Sequence, residues 1–259
     1  MTGVTARFIV VIPARYASSR FPGKALADIA GKPMVVRVAE RAEQSGASAV
    51  FVATDDARIE AAVRSHGIEP IATRADHATG TDRIAEAAQK LALGEDAIVV
   101  NVQGDEPLID PRLIADVAAV LSRTKEAPVS TACHRISSAD EIFSPNVVKV
   151  VLDARGFALY FSRAPIPFAR DAWGGSSEAA NAPAGLPCYR HIGIYGYRAG
   201  FLGRYAQLAA SPLEGFEALE QLRVLWHGYR IAAAISETES PPGVDTPEDL
   251  EKVRKLIRR

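Results

Sequence analysis

The chain has 259 residues, 48% of them hydrophobic and 24% charged, with a formal net charge of −1. That length suffices for one large α/β domain carrying an elaboration, and the near-neutral charge speaks against a general binder of nucleic acid or anionic membrane. No apolar run approaches the roughly 20 residues of a membrane-spanning helix, and the first apolar run reads as a strand, not as a signal-peptide core, so a cytoplasmic protein is expected. Two cysteines, Cys133 and Cys188, lack metal-ligand spacing and suit a reducing compartment or a single disulfide.

The first predicted strand, Phe8–Ile12, empties into Pro13-Ala14-Arg15-Tyr16-Ala17-Ser18-Ser19-Arg20-Phe21-Pro22-Gly23-Lys24. Arg15, Arg20 and Lys24 stand among small residues whose backbone N–H groups can approach phosphate oxygens, which is what a triphosphate requires. Gly23-Lys24 is followed by Ala25, so this is neither a Walker loop nor a dinucleotide turn. The plainer alternative is a solvated basic loop.

Further strands are predicted at Ala49–Ala53, Pro70–Thr73 and Ala97–Val102, alternating with helices near Pro33–Ser45, Ala57–Ser65, Thr81–Leu91 and Pro111–Leu121. Near-continuous apolar strands separated by helices imply a parallel sheet covered on both faces, with ligands bound beyond the strands' carboxyl ends. Two segments at such ends stand out. Thr73-Arg74-Ala75-Asp76-His77-Ala78-Thr79-Gly80-Thr81-Asp82-Arg83 can offer N–H and hydroxyl groups to a nucleobase edge, while Asp76 and His77 read as surface residues of a polar loop. Val102-Gln103-Gly104-Asp105-Glu106-Pro107 ends a buried strand in a carboxylate: Asp105 fits a Mg²⁺ ligand beside a triphosphate, or a turn carboxylate ahead of the next helix.

The second half changes character. Val147–Leu152 and Phe157–Phe161 read as a β-hairpin, Phe168–Pro187 is Gly/Ala/Ser/Pro-rich and aperiodic, and His191–Tyr197 is a strand with His191, Gly193 and Tyr195 on one face. Helices follow near Gly200–Leu208 and Phe216–Trp226, the latter carrying Glu217, Glu220 and Gln221 on an amphipathic face. Ile231–Ile235 is a strand and Thr246–Ile257 a helix capped by Thr246, with Pro247 in first position. Asp245, before that helix, is a candidate second carboxylate for a metal or simple helix-start decoration. No internal repeat, zinc spacing or Gly-x-Ser-x-Gly elbow is present. The expectation is one domain, 1–259, with 147–200 as a β-rich subdomain.

Ile-Pro-Ala-Arg-Tyr-Ala-Ser-Ser-Arg-Phe-Pro-Gly-Lys closely resembles the N-terminal signature of the sugar-acid cytidylyltransferases, and Gly243-Val244-Asp245-Thr246-Pro247-Glu248-Asp249-Leu250 resembles the C-terminal metal-binding signature of the family's 3-deoxy-manno-octulosonate (Kdo) members. The resemblance runs from Ile12 to Leu250 and departs from the family pattern at Asp171–Pro187. It implies a three-layer nucleotidyltransferase-type α/β fold with a mostly parallel sheet, a homodimer built on the β-rich subdomain, and transfer of CMP from CTP to Kdo, releasing pyrophosphate, for lipopolysaccharide biosynthesis. It also implies Mg²⁺ on Asp105 and Asp245, and catalysis by Arg15, Arg20, Lys24 and Asp105. Arg74, Gly80, Thr81 and Gln103 join the three cations at the nucleotide, and Arg163, His191, Tyr195, Glu220 and Gln221 recognise the sugar acid. The nucleotide half would look alike in an enzyme using sialic acid or an amino-substituted Kdo. Only the sugar-facing set discriminates these, whereas a silent nucleotide-binding regulator has no use for Asp105 and Asp245.

Overall fold

A computed structural model of the chain describes residues 6–17, 21–77, 79–174, 182–239, 241 and 243–257. The first half alternates as expected: β1 (Phe8–Ala14), the antiparallel ribbon β2 (Asp28–Ile29) and β3 (Lys32–Pro33), α1 (Met34–Glu43), β4 (Val50–Thr54), α2 (Ala57–Arg64), β5 (Glu69–Ala72), α3 (Gly80–Lys90), β6 (Ile98–Asn101) and α4 (Pro111–Arg123). Next come β7 (Val129–Arg135), α5 (Ala139–Phe143), the hairpin of β8 (Lys149–Leu152) and β9 (Ala158–Ser162), and α6 (Arg170–Trp173). The chain closes with β10 (Tyr189–Arg198), α7 (Ala199–Tyr205), α8 (Pro212–Glu217), α9 (Leu222–Trp226), β11 (Ile231–Ser236) and α10 (Pro247–Ile257).

Among the described residues the main sheet has nine strands, ordered β11-β7-β10-β6-β1-β4-β5, with β8 attached to β10 and β9 to β8. β6, β1, β4 and β5 are mutually parallel, as are β7 and β11, while β10 runs antiparallel between β6 and β7. Alternation splits each strand between two cores. Val10 and Ile12 of β1 and Val100 of β6 face the layer containing Val35, Val38, Ile114 and Val117, and Val11 and Val99 face Ile84, Phe201, Leu222 and Val224. The result is a three-layer α/β/α arrangement with a mixed, mostly parallel sheet.

Helix starts follow their local chemistry. Thr79 and Asp82 form a capping box at α3, Asp110 caps α4 ahead of Pro111, and the Thr246 hydroxyl accepts from Asp249 N while Asp249 Oδ2 accepts from Thr246 N at α10. Pro33 is the residue before α1, one position earlier than its expected first-turn place.

Three features differ from the sequence reading. β7 was absent from it, because Val129-Ser-Thr-Ala-Cys-His-Arg is small and polar; yet it is buried through His134, with Ser130 donating to Val117 O and Thr131 to Ile194 O. The single helix expected at Phe216–Trp226 is two, α8 and α9, parted by Ala218 at φ 52. Glu220 and Gln221 therefore lie in a turn and not on a helical face. Segment 147–200 holds the β8–β9 hairpin, α6 and β10, and β10 is itself a central strand of the main sheet. Residues 175–181 of the Gly/Ala-rich stretch fall outside the described set. Cys133 and Cys188 are free, buried thiols.

β10 holds its place through close packing at Gly196. A Cβ there would lie 2.4 Å from Ser130 Oγ and 3.2 Å from Val117 Cγ1, both in the interior. Overpacking of this kind costs about 1–3 kcal/mol, so Gly196→Ala is expected to lower the unfolding free energy by that much and the denaturant midpoint with it. Adding Ser130→Ala, which removes the clashing oxygen, recovers part of the loss. An unchanged midpoint in Gly196→Ala would contradict this packing.

Candidate functional site

The site lies at the carboxyl ends of β1 and β6. Gly104 is where the two following loops meet: a Cβ at that position would stand 2.9 Å from Pro13 O, so only glycine permits the approach. On the β1 side, Gly23 takes φ 73, its N–H donates to Tyr16 O at 2.8 Å, and the short 3₁₀ turn Lys24–Leu26 begins. The chain thereby returns Lys24 beneath the end of β6.

Lys24 Nζ donates to Asp105 Oδ2 at 2.6 Å and to Asp245 Oδ1 and Val244 O at 3.4 Å each. The α10 start is fastened to the β6 loop by Val244 N, which donates to Asp105 O at 2.8 Å. Two carboxylates from opposite ends of the chain thus converge on one cation. Glu106 beside them is pushed up to about 7 by desolvation and by the charge of Asp105, so it contributes less anionic character near neutrality.

The donor chemistry suits Mg²⁺. Two carboxylates facing a common point, with no cluster of three or more His, Cys, Asp or Glu among the described residues, leave coordination positions for phosphate oxygens and water, which is how Mg²⁺ is held. Softer metals would require sulfur or imidazole ligands.

Arg15 lines the same small hollow as Lys24 and Asp105, and its NH2 donates to His77 O at 2.7 Å. Arg20 lies outside the described residues. Gln103 belongs to this hollow and also to an adjoining cavity of about 130 Å³, shared with Gly80, Thr81, Tyr195, Glu220 and Gln221. Six of the residues expected at the nucleotide and the sugar acid therefore surround one space, and two more, Arg15 and Lys24, border the hollow beside it with the expected metal ligand Asp105.

The cavity is shaped by β10. Its pairing with β7 shifts by two residues between Ile192 and Tyr195, which keeps the alternation intact, so His191, Tyr195 and Tyr197 remain on one face. The Thr131 hydroxyl donates to Ile194 O at 2.8 Å and contacts His191 Nε2 at 2.9 Å, which makes Nε2–H the donor to Thr131. Burial pushes His191 down to about 3, so it is a neutral hydrogen-bonding group and not a proton carrier. Burial likewise raises the Tyr195 and Tyr197 phenols, which stay protonated.

Glu220 accepts from Tyr205 OH at 2.8 Å. Gln221 is 7% exposed, and among the described residues its Nε2 has no hydrogen-bond partner. A buried amide donor without a partner costs about 1–3 kcal/mol. Its place on the wall of a polar cavity therefore points to a ligand oxygen as its partner.

Three expected residues stand elsewhere, His191 among them: it packs behind the lining, against Phe161 and Tyr195. Arg163 is not in the cavity lining: its Nε donates to Glu217 O at 2.7 Å and its NH1 to Pro145 O at 2.9 Å, while Glu217 accepts from Ser162 Oγ and Arg163 N. Arg74 is exposed in a neighbouring groove and pairs with Asp76 at 3.1 Å. His77, expected on the surface, is 7% exposed in its side chain and pairs with Glu86. The sequence reading missed Asn101, Tyr197 and Tyr205 in the cavity wall. Asn101 was detectable as the polar member of the buried strand Ile98–Asn101, and Tyr197 as the next outward position after Tyr195; Tyr205 gave no signal.

Comparison with known proteins agrees with this geometry. The family model described as Cytidylyltransferase matches residues 9–231. A 3-deoxy-manno-octulosonate cytidylyltransferase of Verminephrobacter eiseniae is 61% identical over 257 residues, covering 97% of this chain and 94% of that protein. One from Acidovorax ebreus is 59% identical, covering 97% and 98%. A solved structure of CMP:2-keto-3-deoxy-manno-octonic acid synthetase complexed with CTP superimposes with a TM-score of 0.86 at 46% identity, covering 97% of this chain and 98% of that one. The nucleotidyltransferase-type layers, the cation-rich first loop and a match along nearly the whole length agree, and the chain belongs to the 3-deoxy-manno-octulosonate cytidylyltransferases of the cytidylyltransferase family.

Proposed function

We propose that the protein activates Kdo by transferring CMP from CTP, giving CMP-Kdo and pyrophosphate for lipopolysaccharide synthesis in the cytoplasm. The observation that carries the reading is the junction at Gln103 between a hollow bearing Arg15, Lys24 and Asp105 and a cavity bearing Tyr195, Glu220 and Gln221. One half suits a polyanion, and the other suits a polyhydroxylated acid whose reacting oxygen must meet it.

Arg15, Arg20 and Lys24 hold the triphosphate and offset charge on the departing pyrophosphate. Gly80 and Thr81, at the start of α3, border the cytidine with Gln103, and Arg74 is assigned to its outer edge. The buried Gln221 amide, the Glu220 carboxylate and the Tyr195 phenol bind the sugar hydroxyls, and His191 supports Tyr195 from a ring-centroid distance of 5.4 Å. Arg163 belongs to this set through Glu217, whose backbone and carboxylate it helps fix ahead of the turn carrying Glu220 and Gln221.

In the reaction the anomeric hydroxyl forms a new O–P bond at the α-phosphorus, the bond to pyrophosphate breaks with its electron pair going to the departing oxygen, and the hydroxyl proton passes to solvent water. Asp105 and Asp245 would hold Mg²⁺, which when bound supplies Lewis-acid activation and neutralises phosphate charge. The protein's own residues position the reactants, which suffices for phosphoryl-type transfer without a covalent intermediate. The homodimer contact is assigned to 147–200, where Leu159 and Phe168 are exposed apolar side chains.

Two variants test the assignments. Asp105→Asn is expected to lower kcat by about 100-fold or more while calorimetric CTP affinity changes by less than about threefold; equal losses in both would remove Asp105 from the reacting centre. Gln221→Leu deletes an unpartnered buried amide, so thermal stability is expected to hold or rise while KM for Kdo increases at least about tenfold, or about 1.4 kcal/mol. A lowered melting temperature with unchanged KM would assign Gln221 to the core instead.

A further inference from the structure

One polar network beside the site is centred on Glu86, a residue that none of the motifs above includes. Glu86 lies on the second turn of α3, 15% exposed in its side chain. Its Oε2 pairs with His77 Nε2 and accepts from Arg74 N at 3.1 Å, and its Oε1 meets Lys90 Nζ at 2.9 Å. Arg83, one turn earlier and fully buried, donates to Thr73 Oγ1 and lies 3.2 Å from Asp55. The polar loop between β5 and α3 is thus gripped from one helix at Thr73, Arg74 and His77. The backbone carbonyl presented at His77 is the one that receives Arg15 NH2 at 2.7 Å.

An arginine side chain carries about 2 kcal/mol of rotamer entropy, and a guanidinium tied at one edge keeps its remaining donors aimed. We propose that Glu86 is a positioning residue for the nucleotide: by holding His77 and Arg74 it sets the His77 carbonyl that orients Arg15 toward the triphosphate. Glu86 acts through the loop that orients Arg15: its hydrogen bond at Arg74 is to the backbone N, while the Arg74 guanidinium pairs with Asp76 at 3.1 Å. Sheltered, charge-assisted contacts of this kind are stronger than surface ion pairs, so the loop is held rather than decorated. The inference rests on the reading that Arg15 binds the triphosphate.

The test is a double-variant cycle in CTP affinity, by calorimetry and steady-state kinetics. Glu86→Ala is expected to raise Kd and KM for CTP about tenfold, with KM for Kdo within about twofold and any fall in kcat smaller than that of Arg15→Ala, and Glu86→Gln to restore most of the affinity. His77→Ala, which spares the Glu86 contacts with Arg74 and Lys90, is expected to show the same split. In an Arg15→Ala background, Glu86→Ala adds less than about twofold. A Glu86→Ala loss of equal size in both backgrounds, or one that lowers kcat, Kdo affinity and thermal stability together, overturns the positioning role. If Arg15→Ala binds CTP as the parent does, the assignment of Arg15 falls and this inference with it; an Arg15 effect with no Glu86 effect overturns the inference alone.

Discussion

The arrangement depends on backbone that forces like charges together. Asp105 and Asp245 reach Lys24 from 81 and 221 residues away along the chain, and their mutual repulsion opposes the approach. Two main-chain contacts hold it: Gly104 against Pro13 O, and the hydrogen bond from Val244 N to Asp105 O. Neither involves a charge, so the geometry does not rely on the ions it positions. Lys24 then offsets one of the two negative charges from a partly buried site, where an uncompensated carboxylate would be costly. The same carboxylates are the oxygen donors a divalent ion needs, and the same lysine is a cation a triphosphate needs. One cluster of three side chains therefore serves both halves of the chemistry.

The second determinant is the antiparallel β10. Inserted between β6 and β7, it sets Tyr195 opposite Asn101, one step before the loop that carries Gln103 and Asp105. A two-residue register shift at Gly193 and Ile194 would scramble the strand if it were odd; being even, it keeps the aromatic side chains facing the cavity. The single Thr131 hydroxyl proton goes to Ile194 O at 2.8 Å, which leaves its oxygen to accept from His191 Nε2. The acceptor cavity is thus an outgrowth of sheet pairing, and the nucleotide hollow an outgrowth of the loops after β1 and β6.

Much of this was legible in the chain. The alternation of apolar strands and helices, the cation loop after β1, the strand-ending Asp105 and the Asp-Thr-Pro start of α10 are local patterns, and each lies where its pattern predicts. What escaped the sequence depended on distant partners. β7 is small and polar because its hydroxyls satisfy Val117 O and Ile194 O, partners no local pattern announces. The helix expected over Phe216–Trp226 breaks at Ala218, where Glu217 is tied to Ser162 at the end of β9 and to Arg163 just after it, a tertiary override of a good periodic pattern. Arg163 is directed into that tie and not into the cavity. Glu86 and His77 look like ordinary surface charges until the fold closes them on the loop that meets Arg15.

The central claim is that the Lys24–Asp105–Asp245 cluster and the β10 cavity together make a cytidylyltransferase for Kdo. Incubating the purified protein with CTP, Mg²⁺ and either Kdo or sialic acid, and following pyrophosphate release, tests it most directly. The account predicts release with Kdo alone, abolished by EDTA. Release with sialic acid instead, or none with either acceptor from protein that still binds CTP, would contradict it.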